Sequence, residues 1–308
     1  MCSLECNQIF NISVKEIVTL YMKMAYGKQK KFYSKKRKLI ADIDEILTYY
    51  QERGMQITVR QIYYQCVSRN LISNNKQQYN KISEVITDGR LAGLLDWDVI
   101  EDRTRYTREI PHWRKPQDII KAAAEQYRID TRASQPCYIE CWIEKDSLVS
   151  ILEDTCRTYD IACFSCRGYP SVTALREAAL RFNDKQKKCV ILYAGDHDPS
   201  GLKIPEAIQE NLKEFNANVE LRRIGLNLAQ IEQLNLPPNF AKEKDPNYPE
   251  YVKKTGLKVC WELDALPPER LSAIFEQNIE ELTDFDEWHK MIKIEKQHKT
   301  YFSKYINE

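Results

Sequence analysis

Lys188-Cys189-Val190-Ile191-Leu192-Tyr193-Ala194-Gly195-Asp196-His197-Asp198-Pro199-Ser200-Gly201 is the stretch on which the reading of this chain turns. Its apolar part, Cys189 to Tyr193, is short, partly β-branched and bounded by glycine, the pattern of a buried strand. Two aspartates one residue apart follow at its carboxyl end. Strand alternation points Asp196 and Asp198 the same way. Two like charges at one spot repel, and a cation or a shared proton relieves them. Carboxylate oxygens suit Mg²⁺, which takes one or two of them together with water and substrate phosphate. Alone, the pair would read as an aspartate-rich turn built on Pro199 and Gly201. It does not stand alone.

Upstream, Tyr138-Ile139-Glu140-Cys141-Trp142-Ile143-Glu144 reads as another strand, followed by Asp146 or Ser147 as a helix cap. Between the two lies Ala162-Cys163-Phe164-Ser165-Cys166-Arg167-Gly168-Tyr169-Pro170, a strand and a turn, with a helix expected over 173–182. Strands alternating with helices imply a parallel sheet with right-handed crossovers, whose ligands gather beyond the carboxyl ends of the strands. Glu144, Arg167, Asp196 and Asp198 are all expected at that edge.

A glutamate ending the first strand, a Gly-Tyr-Pro turn and a D-x-D-P-x-G after the third strand resemble a TOPRIM domain. The variant is similar to the A subunit of topoisomerase VI and to its relative, the meiotic double-strand-break transesterase. The resemblance spans roughly residues 39–282. It implies a Rossmann-like domain in which Glu144, Asp196 and Asp198 hold Mg²⁺, with Mn²⁺ as a substitute.

The composition leaves room for that reading. At 308 residues the length suits two domains, and 43% hydrophobic residues suffice for packed cores. A net charge of +1 gives no global attraction to nucleic acid, so any must be local. No apolar run is long enough to span a membrane, and the start lacks the layout of a secretory signal, which together point to the cytoplasm. The ten cysteines sit largely inside apparent strands and helices and read as small buried hydrophobes in a reduced compartment. The lone C-x-x-C pair, Cys163 and Cys166, reads as structural.

The local asymmetry lies near the start. Lys28 to Lys38 is a basic run around Phe32 and Tyr33. It reads either as a solvated arm or as a phosphate-binding one, with Lys35, Lys36, Arg37 and Lys38 as candidate DNA contacts. Three helices are expected next, the first over residues 39–50. The second is capped by Thr58 and the third runs through Tyr79 to Leu94, with an extended piece at 96–102. A winged helix-turn-helix fits that order, with the third helix, and Arg90 on it, facing a major groove. A helical dimerisation domain would show the same periodicity.

Within the second helix stands Arg60-Gln61-Ile62-Tyr63-Tyr64. Arg60 and Tyr64 are four apart and share a face. A phenol is a weak nucleophile until a cation or base favours the phenolate, and paired tyrosines on a helix usually pack in a core. The topoisomerase VI A family carries an arginine, an acid, any residue, an aromatic and then the catalytic tyrosine. On this chain Tyr64 falls at the nucleophile and Arg60 at the arginine, while Gln61 replaces the acid. The resemblance therefore implies a Mg²⁺-dependent transesterase in which Tyr64 forms a 5′-phosphotyrosyl link to double-stranded DNA. It implies a homodimer in which one subunit's tyrosine works with the other's metal site.

The domains expected are a basic arm at 1–38, a winged-helix domain at 39–116, a TOPRIM domain at 117–287 and a helical tail at 288–308. The segment Arg103 to Pro116 reads as irregular and basic. Glu262 and Asp264 fall on one side of a strand-like piece and read as a salt-bridged or capping acidic turn, ranked below the first three carboxylates as ligands. No P-loop occurs, so an ATP-binding B-type partner would be a separate chain. The chain resembles the compact A-subunit-like proteins carried by mobile elements, which lack an obvious B partner. Two other functions fit the same residues: a hydrolytic TOPRIM nuclease with a structural Tyr64, and a DNA-binding scaffold without catalysis.

Overall fold

A computed structural model describes residues 32–101, 110 and 112–306, with side chains to 302. The basic residues Lys28, Lys30 and Lys31, the run Arg103 to Arg108, and Pro111 lie outside the described residues. The chain divides into two units, Met1–Glu101 and Asp102–Glu308.

The first unit holds three helices, α1 (Ser34–Gln51), α2 (Val59–Ser68) and α3 (Lys76–Leu91). Helix α1 begins at Ser34, so Lys35 to Lys38 form its first turns rather than the end of an arm. Its inward stripe, Leu39, Ile40, Ile43, Ile46, Leu47 and Tyr50, recurs at three- and four-residue spacing and is fully buried. The helix packs on α2 and α3, whose buried residues include Ile62, Tyr63, Tyr64 and Cys66 of α2 and Ile82, Val85 and Ile86 of α3. The extended piece expected at 96–102 is reduced to one parallel bridge between Ile57 and Ile100. A strand-built wing is not seen among the described residues.

The second unit is α/β. Strands β1 (Cys137–Ile143), β2 (Ala162–Ser165), β3 (Lys188–Ala194) and β4 (Val219–Gly225) form one parallel sheet in the order β2-β1-β3-β4. β1 and β3 are central and buried on both faces, which is why they read as continuous apolar runs. Helices α5 (Val149–Tyr159), α6 (Val172–Asp184) and α7 (Ile204–Glu214) make the crossovers. One face of the sheet, with Trp142, Ile191 and Tyr193, packs on Leu175, Ala178 and Phe182 of α6 and Ile208 and Leu212 of α7. Helix α5 packs instead with α10 (Pro268–Glu280).

The chain turns from β1 outward to β2 and then returns past β1 to β3. The strand order therefore reverses between β1 and β3, and their carboxyl ends open on the crevice where ligands of such sheets bind. A second, two-stranded sheet pairs β5 (Asn239–Phe240) with β6 (Val259–Cys260), antiparallel around α9 (Tyr248–Thr255). Helix α8 (Leu228–Gln233) links β4 to it.

The tail is one helix, α11 (Phe285–Ile306), which packs on α4 (Pro116–Gln126). Tyr127 bonds His298 at 2.8 Å, the Ile129 N–H donates to Glu295 at 3.1 Å, and Trp288 stacks on Tyr159. The tail is thus tied to the segment that leads into β1.

Candidate metal centre and catalytic residues

Glu144 follows β1 directly, and its N–H donates to the Ala194 carbonyl at the end of β3 (2.9 Å). That bond carries the pairing of β1 and β3 one step past both strands. Glu144 is half-buried, and its Oε2 accepts the backbone N–H of Asp196 at 2.9 Å and faces the Tyr193 hydroxyl at 3.5 Å. A Cβ at Gly195 would lie 2.5 Å from Glu144 Oε2 and 2.6 Å from the Tyr193 hydroxyl, so a side chain there would displace the glutamate from this position. The glutamate and the first aspartate, distant in sequence, thus meet at the crevice.

Asp196 is 7% exposed. Its Oδ1 accepts the Leu263 N–H at 2.7 Å, and its Oδ2 lies 3.1 Å from Lys145 Nζ. Burial pushes its carboxyl up to about 8, Lys145 opposes that, and Glu144 adds to it. Glu144 is raised too, by burial first and by the charge of Asp198 among its neighbours. Asp198 is half-buried and its Oδ1 accepts the Gly201 N–H at 2.6 Å. That tight turn excludes a side chain at 201, where a Cβ would collide with the Asp196 carbonyl. The two aspartates are therefore set by a rigid turn at the strand end.

The turn is fastened by a residue the sequence did not single out. Arg223 of β4 donates to the carbonyls of Gly195 (3.0 Å), Asp196 (2.7 Å), Gly201 (2.9 Å) and Leu226 (3.2 Å). One planar guanidinium so holds both ends of the D-x-D-P-x-G turn. Its only sequence signal was the pair Arg222-Arg223 inside a strand that also carries Glu220.

Lys145 was also overlooked. Its ammonium lies 3.1 Å from Asp196 Oδ2, 3.1 Å from Glu262 Oε2 and in a short contact with Asp264 Oδ2. Burial would lower its pKa, but the three carboxylates overcome that and hold it protonated above the ordinary lysine range. Glu262 and Asp264 are thus salt-bridged, as expected of an acidic turn. Among the described residues, no three His, Cys, Asp or Glu side chains stand ready as a metal cage. In donor chemistry the set of Glu144, Asp196 and Asp198 fits a hard divalent cation. In this structure Asp196 is held through both oxygens, by the Leu263 N–H and by Lys145, while Glu144 Oε2 accepts the Asp196 N–H and Asp198 Oδ1 the Gly201 N–H.

His197, between the aspartates, turns away from them. It is 5% exposed, pairs by backbone with Trp261 and lies 3.2 Å from the Tyr251 hydroxyl. It braces the turn against the small sheet. Arg167, at φ +54° beyond β2, is exposed and 3.2 Å from Asp146. An arginine held in the left-handed region at a strand end is strained and projects from the crevice edge.

In the first unit, Tyr64 is 3% exposed and packs edge-on to Tyr63, with ring centroids 5.1 Å apart. The Arg60 guanidinium lies 5.5 Å from the Tyr79 ring centroid. Gln61 has a plain structural role: its Oε1 accepts the Thr58 N–H at 2.9 Å and its own N–H donates to Thr58 Oγ1 at 3.2 Å. This is a capping box, and the Gln61 side chain that closes it is 1% exposed, with no partner for its Nε2 among the described residues. Arg90 donates to the Trp97 (2.7 Å) and Ile100 (3.0 Å) carbonyls and stacks on Trp97, so it braces the chain after α3. Lys36 pairs with Glu84 at 2.9 Å and Asp88 at 2.6 Å, whereas Lys35, Arg37 and Lys38 face solvent.

No protein-family model and no curated protein matches the chain.

Proposed function

We propose that this protein is a Mg²⁺-dependent DNA-cleaving enzyme of TOPRIM type, similar to the topoisomerase VI A subunit and acting as a homodimer on double-stranded DNA. The observation that carries the proposal is the meeting of Glu144 and Asp196 at the point where the strand order reverses, with Glu144 Oε2 on the Asp196 N–H at 2.9 Å. Glu144, Asp196 and Asp198 would hold the ion, which when bound supplies positive charge beside a backbone phosphate. Arg223 keeps the aspartate turn rigid, and Arg167, exposed and 3.2 Å from Asp146, would meet phosphate. Lys35, Arg37 and Lys38 supply backbone contacts whose strength falls with salt.

In the transesterase form, the Tyr64 phenolic oxygen attacks phosphorus and the bond to the 3′ oxygen breaks. The phenol gives up its proton, the departing oxygen takes one up through solvent and leaves as a 3′-hydroxyl, and the 5′ phosphate stays on Tyr64. Religation then needs no ATP, and coupling to an ATP-binding B-type subunit would require a separate chain. The burial of Tyr64 favours a second reading, in which water attacks and Tyr64 is a core residue of α2.

One experiment tests both. Supercoiled plasmid is incubated with protein and Mg²⁺, then denatured with and without protease. Protein bound to 5′ ends, lost in Tyr64→Phe, supports the transesterase; cutting kept by Tyr64→Phe supports hydrolysis. DNA left intact by wild type overturns the enzymatic proposal.

A further inference from the structure

Phe240 stands 91% exposed on β5, where it pairs with Val259 of β6. Strand alternation sends its neighbour Ala241 the other way, into a small core with Tyr251 and Cys260. The two-stranded sheet thus has its core on one face, and a phenyl ring left in water on the other forgoes the gain of burial. The surroundings of the ring are basic. Lys242, two residues on, and Lys258, next to the cross-strand partner Val259, are exposed, as is Lys244. Against them stand Glu243, also exposed, and Asp245, which accepts the Ser200 hydroxyl at 2.7 Å. Lys203 and Lys254, by contrast, are spent on Glu206 and Glu250.

This sheet is stitched to the aspartate turn. His197 and Trp261 exchange backbone hydrogen bonds at 2.9 and 3.0 Å, and Trp261 directly follows β6. The bond from Ser200 to Asp245 ties the same turn to the loop after β5. An open aromatic ring and three ammonium groups are therefore carried on an element fixed to the turn that holds Asp196 and Asp198.

We propose that Phe240 stacks on an unpaired nucleic-acid base while Lys242, Lys244 and Lys258 meet the flanking phosphates, so that the protein prefers DNA with an unpaired base to intact duplex. The proposal rests on the DNA-binding part of the function proposed above and needs no bound ion. An aromatic face accepts any base, and ammonium groups follow the backbone, which is the chemistry of single-strand recognition. In an intact duplex the faces of each base are covered by its neighbours, so the ring gains little there. An unpaired base offers a face to it.

The test is fluorescence anisotropy on the full chain with two labelled duplexes, one fully paired and one carrying an unpaired 2-aminopurine. Wild type should bind the second roughly tenfold more tightly and change its 2-aminopurine emission. Phe240→Ala should bind the two alike, without the change in emission, and should melt at the wild-type temperature because the ring lies outside the core. Phe240→Trp should keep the preference and Phe240→Leu lose it, which separates stacking from mere apolar contact. Lys242→Gln combined with Lys258→Gln should lower the slope of log affinity against log salt, whereas Phe240→Ala should leave that slope unchanged. Equal affinity of wild type and Phe240→Ala for the duplex with the unpaired base overturns the inference and leaves DNA binding standing. If that variant keeps its DNA affinity but loses self-association in sedimentation, the ring belongs to an interface between copies and stacking is overturned. Wild type that binds neither duplex overturns the DNA reading and this inference together.

Discussion

Asp196 gives one oxygen to the Leu263 N–H and the other to Lys145, so its carboxyl is stripped of water yet satisfied on both sides. Its titration has a definite sign. A folded pKa near 8, above the ordinary aspartate value of 3.8, means its contribution to stability is full at acid pH. That contribution fades as pH rises through about 8. Lys145 stays protonated across that range and adds no slope of its own. In a metal chelator, the melting temperature of wild type relative to Asp196→Asn should therefore fall steadily from pH 5 to pH 9; a flat difference would refute the assignment. A second buried carboxylate, Glu140, is 1% exposed inside β1. It accepts from both Arg181 nitrogens, at 3.0 and 3.1 Å, and from Trp142 and Tyr138, each at 2.9 Å. Arg181→Met strands that charge and should cost about 3 kcal/mol in urea unfolding. A loss under about 1 kcal/mol would mean water reaches Glu140.

Among the elements, α2 shows how a motif position can carry structure instead of chemistry. Gln61 stands at the third residue of a helix capped by Thr58, where glutamate would make the same two bonds. Gln61→Glu puts a carboxylate where the side chain is 1% exposed and Nε2 has no partner among the described residues, so it should cost about 1–3 kcal/mol, and Thr58→Ala about 1 kcal/mol. Chemical denaturation checks both, and a loss under about 0.5 kcal/mol in Gln61→Glu would mean that water reaches position 61. The helices and strands were legible because their apolar spacing is regular: the stripe of α1 and the runs of β1 and β3 could each be read directly. Errors fell at ends, where capping decides. Helix α1 starts at Ser34 rather than after the basic run, and α11 starts at Phe285 rather than at Trp288. The extended piece after α3 shrank to a single bridge, because Arg90 holds that segment through the Trp97 and Ile100 carbonyls, a contact no local pattern announces.

Across the molecule, the carboxylates at the crevice were visible in the sequence and the cations that govern them were not. Acids at strand ends stand out against apolar runs. Lys145 and Arg223 act through tertiary contacts with residues up to 119 positions away, such as Asp264, which only the fold brings near. Of the basic residues at the start of α1, Lys36 is spent on Glu84 and Asp88, which leaves Lys35, Arg37 and Lys38 facing solvent. The proposed DNA binding should accordingly be salt-sensitive and draw on those three. Replacing Lys35, Arg37 and Lys38 by alanine should lower the slope of log affinity against log salt by as much as roughly 0.9 for each phosphate no longer neutralised. An unchanged slope in a fluorescence-anisotropy titration would place the DNA elsewhere. The most direct test of the central claim is anomalous diffraction from a crystal soaked in Mn²⁺. The account predicts a peak bounded by Glu144, Asp196 and Asp198. Density with no peak there at saturating Mn²⁺ would contradict it.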